Sequence, residues 1–317
     1  MEKVFSPFDQ RVLNEIKFCD FNLIDKKLDE ACKAQVLWMH SSKTDRIKVI
    51  KKFCENLIND KDDIGKDISN YIGRPIQFSP KEVVTGVDRI KEMLNVFEQF
   101  SFNEKLDEQR EIFHLPLGNI LVFGAWNYPI LTTVNSIVPA ILAGNSVCFR
   151  PSSQAYFIAD VFKSAFDRAG LPKGVFQVTT FSHDDTQNVV KSDKIDRIVY
   201  TGSTKGGRKI HQWAGGNLIP LTMELGGKDA AYIRSDAEIH SAVINVADGA
   251  FFNTGQSCCG VERVYAHQSV YKKVLTLLVK EAKKLVIGNP LNEDTNLGPL
   301  AKKSAVKHLI EQVERAS

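Results

Sequence analysis

No Cys-x-x-Cys pair occurs among the six cysteines, at positions 19, 32, 54, 148, 258 and 259, and none stands at metal-like spacing from a histidine. A disulfide framework and a structural zinc site are therefore not expected, and reduced thiols in a cytoplasmic setting are. Long apolar runs are missing too: the best, Ile137 to Ala143, is interrupted by Pro139. The first ten residues lack the apolar centre of a signal peptide, so neither secretion nor membrane spanning is expected. There is no cationic run and no interleaving of basic with aromatic residues. The 41 Lys and Arg nearly balance 38 Asp and Glu, giving a net charge of +3, and no nucleic-acid partner is indicated. The seven histidines are scattered without triad or metal spacing, so none is assigned a role and no metal is expected. Internal repeats and low-complexity segments are absent as well.

What is present fits a globular chain of roughly two domains, with 317 residues of which 43% are hydrophobic and 25% charged. Residues 1 to about 100 read as mostly helical, because Ile47, Ile50, Phe53 and Leu57 recur at three- or four-residue steps between charged positions. Residues 98–117 are polar and then extended, an exposed connection with a short strand whose edge is available for assembly. From Asn119 the pattern changes to strand-length apolar runs, 120–123, 146–149, 175–178 and 195–200, separated by amphipathic helices such as 155–169 and 206–214. That alternation predicts an α/β protein with a parallel sheet. Gly170-Leu171-Pro172 reads as a helix stop.

Several turns in this second region carry groups capable of chemistry. Trp126-Asn127-Tyr128-Pro129 follows a strand, at the end where open α/β sheets bind ligands. Asn127 offers an amide donor for an oxyanion, although taken alone a turn-stabilising asparagine explains it better, and the donor reading gains only with a nucleophile nearby. Arg150-Pro151-Ser152-Ser153 ends a second strand, with a guanidinium suited to phosphate. Tyr200-Thr201-Gly202-Ser203-Thr204-Lys205-Gly206-Gly207 joins a strand to a helix, and its glycines would let backbone amides approach a phosphate or nicotinamide group; it is not GxGxxG, and a plain turn is the competing reading. Glu224 precedes Leu225-Gly226-Gly227-Lys228, and Cys258 and Cys259 follow Phe252-Asn253-Thr254-Gly255-Gln256-Ser257. A thiol and a carboxylate are what two-step acyl chemistry needs. An unperturbed thiol is only roughly 3% thiolate at pH 7, so donors around Cys258 are expected to lower its pKa. The chemistry of the residues alone does not choose between Cys258 and Cys259.

Taken together, the segments at 126–129, 202–207, 224–228 and 252–258 resemble, in order and spacing, the aldehyde dehydrogenase superfamily of non-phosphorylating, NAD(P)-dependent enzymes. The resemblance runs from about residue 40 to the end. It implies a Rossmann-type parallel-sheet cofactor domain with N-terminal helices over residues 1–223, including a possible oligomerisation segment at about 98–117. The start of a second α/β catalytic domain, incomplete here, is implied over 224–317. Carried over position by position, it implies Cys258 as nucleophile, Glu224 as general base and Asn127 as oxyanion donor. Trp126, Arg150, Ser153, Gly202, Ser203, Gly207 and Leu225 fall at cofactor-binding positions. The reaction implied is oxidation of an aldehyde to an acid through a Cys258 thioester, which water activated by Glu224 hydrolyses.

Three departures from the family pattern bear on function. Ser153 stands where NAD-preferring members carry a glutamate that grips the adenosine ribose, and beside Arg150 it implies that NADP is used at least as well as NAD. Ala125 replaces a common proline, with little chemical consequence expected. The chain stops at Ser317, before the family's Glu-x-Phe-Gly-Pro segment and its last strand. A fragment or a truncated, inactive product is therefore implied, with apolar surface exposed and a homo-oligomer expected for a full-length form rather than for this chain. Two competing readings stand beside the enzyme: a cysteine esterase or thioesterase acting through Cys258, and a noncatalytic nucleotide-binding or assembly module.

Overall fold

The computed structural model describes residues 1–316. Two strands, β1 (Glu2–Phe5) and β2 (Val12–Ile16), pair at the start of the chain. Four helices follow: α1 (Phe21–Trp38), α2 (Lys43–Asn59), α3 (Lys61–Ile72) and α4 (Ser79–Gln99). The mostly helical reading of residues 1–100 thus needs correction at its beginning. There Pro7, Asp9 and Gln10, the last at φ 59°, make a turn between two short extended runs. Next come β3 (Asn103–Lys105) and β4 (Glu111–Phe113), an antiparallel hairpin exposed at every position.

The α/β pattern then begins with β5 (Asn119–Phe123), α5 (Leu131–Leu142), β6 (Ser146–Arg150), a 3-10 turn at Ser153–Ala155 and α6 (Phe157–Ala169). It continues through β7 (Phe176–Val178), α7 (Thr186–Val190), β8 (Arg197–Thr201), α8 (Thr204–Gly215) and β9 (Leu221–Glu224). After these run β10 (Asp229–Ile233), α9 (Ile239–Phe251), a second 3-10 turn at Phe252–Gly255, β11 (Val261–Ala266), α10 (Tyr271–Ala282) and α11 (Ser304–Ala316). Two compact units emerge. The first comprises Met1–Glu2, Glu15–Ile64 and Lys81–Glu224, and the second Lys3–Asn14, Gly65–Pro80 and Leu225–Ser317.

In the first unit, five parallel strands line up in the order β7-β6-β5-β8-β9. All five residues of β5 are buried, which is why it reads as a continuous apolar run rather than an alternation. Leu121, Phe123, Cys148 and Ile198 face a cluster with Ile24 and Leu28 of α1, Val189 of α7 and Ile210 of α8. In another cluster, Phe149 lies near Phe162 of α6, while Phe53 of α2 stacks on Phe166 with ring centroids 3.9 Å apart. Truncating a fully buried phenylalanine such as Phe53 costs about 3–5 kcal/mol. Asn119 closes the base of the sheet: its Oδ1 accepts from the Ser146 hydroxyl at 3.1 Å, and its Nδ2 donates to the Lys194 carbonyl at 2.9 Å.

The second unit has a smaller core. Parallel β10 and β11 carry exposed Tyr232 and Tyr265, and a buried cluster of Ile233, Ile239, Val243 and Val274 joins them to α9 and α10. The segment 65–80 clasps this unit: the Ile76 amide donates to the Pro290 carbonyl at 2.7 Å, and Gln77 Nε2 to the Thr295 carbonyl at 2.7 Å. Among the described residues no helix is long and apolar enough to cross a membrane, and no group of His, Cys, Asp or Glu is arranged to hold a metal ion.

Candidate active site

The order of the first sheet sets where a ligand goes. The chain moves outward from β5 through β6 to β7, then returns to the other side of β5 with β8, so the topological switch point lies between β5 and β8. Open α/β sheets bind ligands at the carboxyl ends of the strands flanking such a point. The turns after β5 (124–130), β6 (151–153) and β8 (202–203) are the three segments expected to carry function there.

After β8, Ser203 caps α8, its hydroxyl accepting from the Gly206 amide at 3.1 Å. The Gly202 amide donates to the Glu224 carbonyl and the Gly207 amide to the Ser203 carbonyl. The Gly206 and Gly207 amides are thus engaged within the turn, and the Gly202 amide with the end of β9. A Cβ on Gly202 or Gly206 would run into the Tyr200 hydroxyl, so both positions also make room for that side chain. The first turn of α8 still presents the Thr204 and Lys205 amides at the positive end of the helix dipole. At the end of β6, the half-buried Arg150 guanidinium lies over the Phe181 ring, 5.8 Å from its centroid, and donates to the Pro151 and Phe181 carbonyls. Burial pulls its pKa below the usual guanidinium value, against the opposing charges of Glu2 and Tyr200. Ser153 donates to the Glu2 carboxylate at 2.7 Å.

The Asn127 turn is held from outside itself. Ile130, at the N-cap of α5, makes no side-chain cap, and Glu82 of α4 is an acceptor there, its Oε1 taking the Ile130 amide at 2.9 Å and the Leu131 amide at 3.1 Å. Glu82 is buried, and a carboxylate there satisfies two amides that would otherwise lack partners. Asn127 Oδ1 accepts from the Tyr128 amide at 3.1 Å, which orients the side chain.

In the second unit, Cys258 and Cys259 lie on the connection from α9 to β11, past a strained turn. Asn253, Thr254 and Gly255 all have positive φ, at 53°, 60° and 70°. Asparagine and glycine tolerate that region, but a β-branched threonine does so only at a cost. The turn is pinned on several sides. Buried Arg74 donates from Nε to Asn253 Oδ1 at 3.1 Å, and the Thr254 hydroxyl donates to the Gly298 carbonyl at 3.0 Å. Gln256 donates from Nε2 to the Asn253 carbonyl at 3.0 Å and accepts the Ala301 amide at 2.8 Å. Gly227 meets this loop: a Cβ there would fall on the Cys258 carbonyl oxygen. Gly227 therefore lies against the Cys258 loop, while Glu224 ends β9 exposed, two residues before Gly226.

The six free thiols differ sharply. Burial pushes Cys148 up to about 12 and Cys54 up to about 11, and both sit within apolar packing. Cys258 and Cys259 are exposed. Partial burial, followed by the neighbouring Cys259, raises the Cys258 pKa above the ordinary thiol value. Its backbone amides oppose the rise but do not reverse it, so the lowering expected from the sequence does not occur.

The model of the aldehyde dehydrogenase family matches residues 1–317. The chain belongs to that family. It is 29% identical over 317 residues to the D-glyceraldehyde dehydrogenase (NADP(+)) of Thermoplasma acidophilum, a match covering 98% of this chain and 64% of that one. Among solved structures, an aldehyde dehydrogenase from Bartonella henselae superposes with a TM-score of 0.94 at 27% identity, covering 99% of this chain and 67% of the other. The glyceraldehyde-3-phosphate dehydrogenase GapN of Methanocaldococcus jannaschii, complexed with NADP, gives 0.91 at 26% identity, covering 98% and 70%. The chain thus spans about 64% of the length of that first curated relative.

Three residues at these loops escaped the sequence reading. Arg74, between a glycine and a proline, carries no local mark of its bond to Asn253. Glu82 looks like one more charge on an amphipathic helix, and only its burial betrays it. Glu2 reaches Ser153 from the far end of the chain.

Proposed function

We propose that the chain carries the catalytic thiol and the cofactor face of an NAD(P)-dependent aldehyde dehydrogenase acting in the cytoplasm. The observation that supports this most is the fit of Gly227 against the Cys258 carbonyl, which ties the turn following Glu224 to the one exposed thiol loop. The residues at the sheet edge suit a dinucleotide: Arg150 and the Ser153 hydroxyl for the adenosine end, and the Thr204 and Lys205 amides for phosphate. Trp126, Gly202, Ser203, Gly207 and Leu225 complete the assignment. Arg150 beside a serine admits a 2′-phosphate, so NADP is used as well as NAD.

In the reaction the Cys258 thiolate attacks the aldehyde carbon, forming a thiohemiacetal. The side-chain amide of Asn127 and the Cys258 backbone amide hold the oxyanion. A nicotinamide cofactor held by Arg150, Ser153 and the first amides of α8 would supply the hydride acceptor, and Cys258 would then carry the oxidised carbon as a thioester. Glu224 takes a proton from water, which attacks the thioester, expels the thiolate and releases the carboxylic acid. An esterase or a noncatalytic module finds less support, because the family match spans both the thiol loop and the sheet edge. The exposed β3–β4 hairpin, with Phe113 57% accessible, is offered as the assembly edge.

The test is rapid mixing of the protein with NAD or NADP and a panel of aldehydes. Glu224→Gln should keep a single burst of NAD(P)H and slow steady turnover by about 10²–10⁴-fold. Loss of the burst would remove Glu224 from thioester hydrolysis.

A further inference from the structure

A carboxylate comes to the end of β6 from an unexpected place. Strand β6 ends in Arg150, and Ser153 opens the 3-10 turn that follows. Neither residue is acidic. Ser153 nevertheless holds a carboxylate, because its hydroxyl donates to Glu2 Oε2 at 2.7 Å. Glu2 is the first residue of β1, and it belongs to the same compact unit as Arg150 and Ser153. Together with Ile16, Phe18, Thr180 and Phe181, Arg150 and Ser153 line a pocket at this corner of the sheet.

In doubly wound sheets, an acidic side chain near the end of the second strand accepts from a ribose 2′-hydroxyl, and an arginine there accommodates a 2′-phosphate. This chain has both chemistries at one point. Building on the cofactor reading above, we infer that Glu2 is a specificity-determining residue for the adenosine ribose, supplying from the N-terminal strand the carboxylate that the β6 turn lacks.

The consequences follow from charge and hydrogen-bond capacity. A carboxylate accepts at two oxygens, so the bond from Ser153 leaves room for a ribose hydroxyl, and a cofactor without a 2′-phosphate gains an acceptor. A 2′-phosphate approaching Arg150 meets the Glu2 charge, loses the Ser153 hydroxyl to it, and binds fully only when Glu2 swings away. Arg150 is already seated on the Phe181 ring with two carbonyl acceptors, so it is positioned for the phosphate once that happens. Glu2 thereby sets the ratio of NADP to NAD binding, and removing its charge shifts the ratio toward NADP.

The experiment is titration calorimetry of the full chain with 5′-AMP and 2′,5′-ADP, which differ by the 2′-phosphate alone. Glu2→Gln should tighten 2′,5′-ADP by about tenfold relative to 5′-AMP. Ser153→Ala, which cuts the tether but keeps the charge, should move the ratio the same way by less. NAD and NADP titrated in parallel should follow the fragments. If the wild-type protein binds these ligands and the ratio in Glu2→Gln stays within twofold, the role of Glu2 is overturned while the cofactor reading stands. If none of the four ligands binds the wild-type protein, the cofactor reading falls and the role of Glu2 with it.

Discussion

The two loops that carry the candidate chemistry are anchored alike and built differently. Each is pinned by a buried charged side chain from a distant part of the sequence: Glu82 takes two amides beyond Asn127, and Arg74 holds Asn253 ahead of Cys258. The Asn127 turn runs into a regular helix, and its anchor does the work of a missing cap. The Cys258 turn instead passes through three successive left-handed residues, one of them threonine. Strain of that kind, at roughly 1–3 kcal/mol per residue, persists only where surrounding bonds over-determine it. One loop presents an amide donor on relaxed backbone, and the other presents a nucleophile on backbone held against its preference.

The sharpest way to separate the loops is by chemistry. Cys258→Ala should abolish aldehyde-dependent NAD(P)H formation, a loss of at least about 10⁴-fold, because no group replaces the nucleophile. Asn127→Ala should cost about 10²–10³-fold, since the backbone amide of Cys258 remains as an oxyanion donor. Equal losses, measured as kcat/KM on one aldehyde, would break the division of labour between the loops.

Stability offers the next comparison. Glu82→Leu removes the acceptor of two amides at the start of α5 and should lower the unfolding free energy by about 1–3 kcal/mol. Arg74→Met also removes a buried bond, but the freed turn can relax its left-handed residues, so the net loss should be smaller. Urea unfolding of both variants decides it. A larger loss for Arg74→Met would mean that the turn stores little strain. Reaction of Cys258 with iodoacetamide adds a readout specific to the loop, and Arg74→Met should change its rate while Glu82→Leu leaves it alone.

The sequence was informative wherever a local pattern caused the structure. The buried strand β5 reads as an apolar run because both of its faces are covered, and its neighbour β6 reads the same way. The turns with Asn127, Gly202 and Cys258 stood out because chemistry and turn residues coincide in them. Anchors were invisible because they act across space: Arg74 and Asn253 are separated by 179 residues, and Glu2 and Ser153 by 151. The strand pair at the start was missed because its residues alternate too briefly to register, with only Val4 buried in β1. The glycines at 202 and 206 make room for Tyr200, a packing constraint that composition alone does not reveal.

The smallest expected effect concerns the thiols themselves. Cys259 raises the pKa of Cys258 both through its charge and through a hydrogen bond, acting in the same direction as burial. A raised thiol pKa places the nucleophile mostly in its protonated form at neutral pH, so alkylation and the NAD(P)H burst should both climb as pH rises into the alkaline range. Cys259→Ala removes that contribution and leaves burial in place. The pH profile of Cys258 alkylation, followed by intact mass at fixed iodoacetamide, should therefore move to lower pH while keeping its shape. A profile that stays put would assign the raised pKa to burial alone, and one that moves to higher pH would mean that Cys259 stabilises the thiolate, with the sign of the coupling reversed.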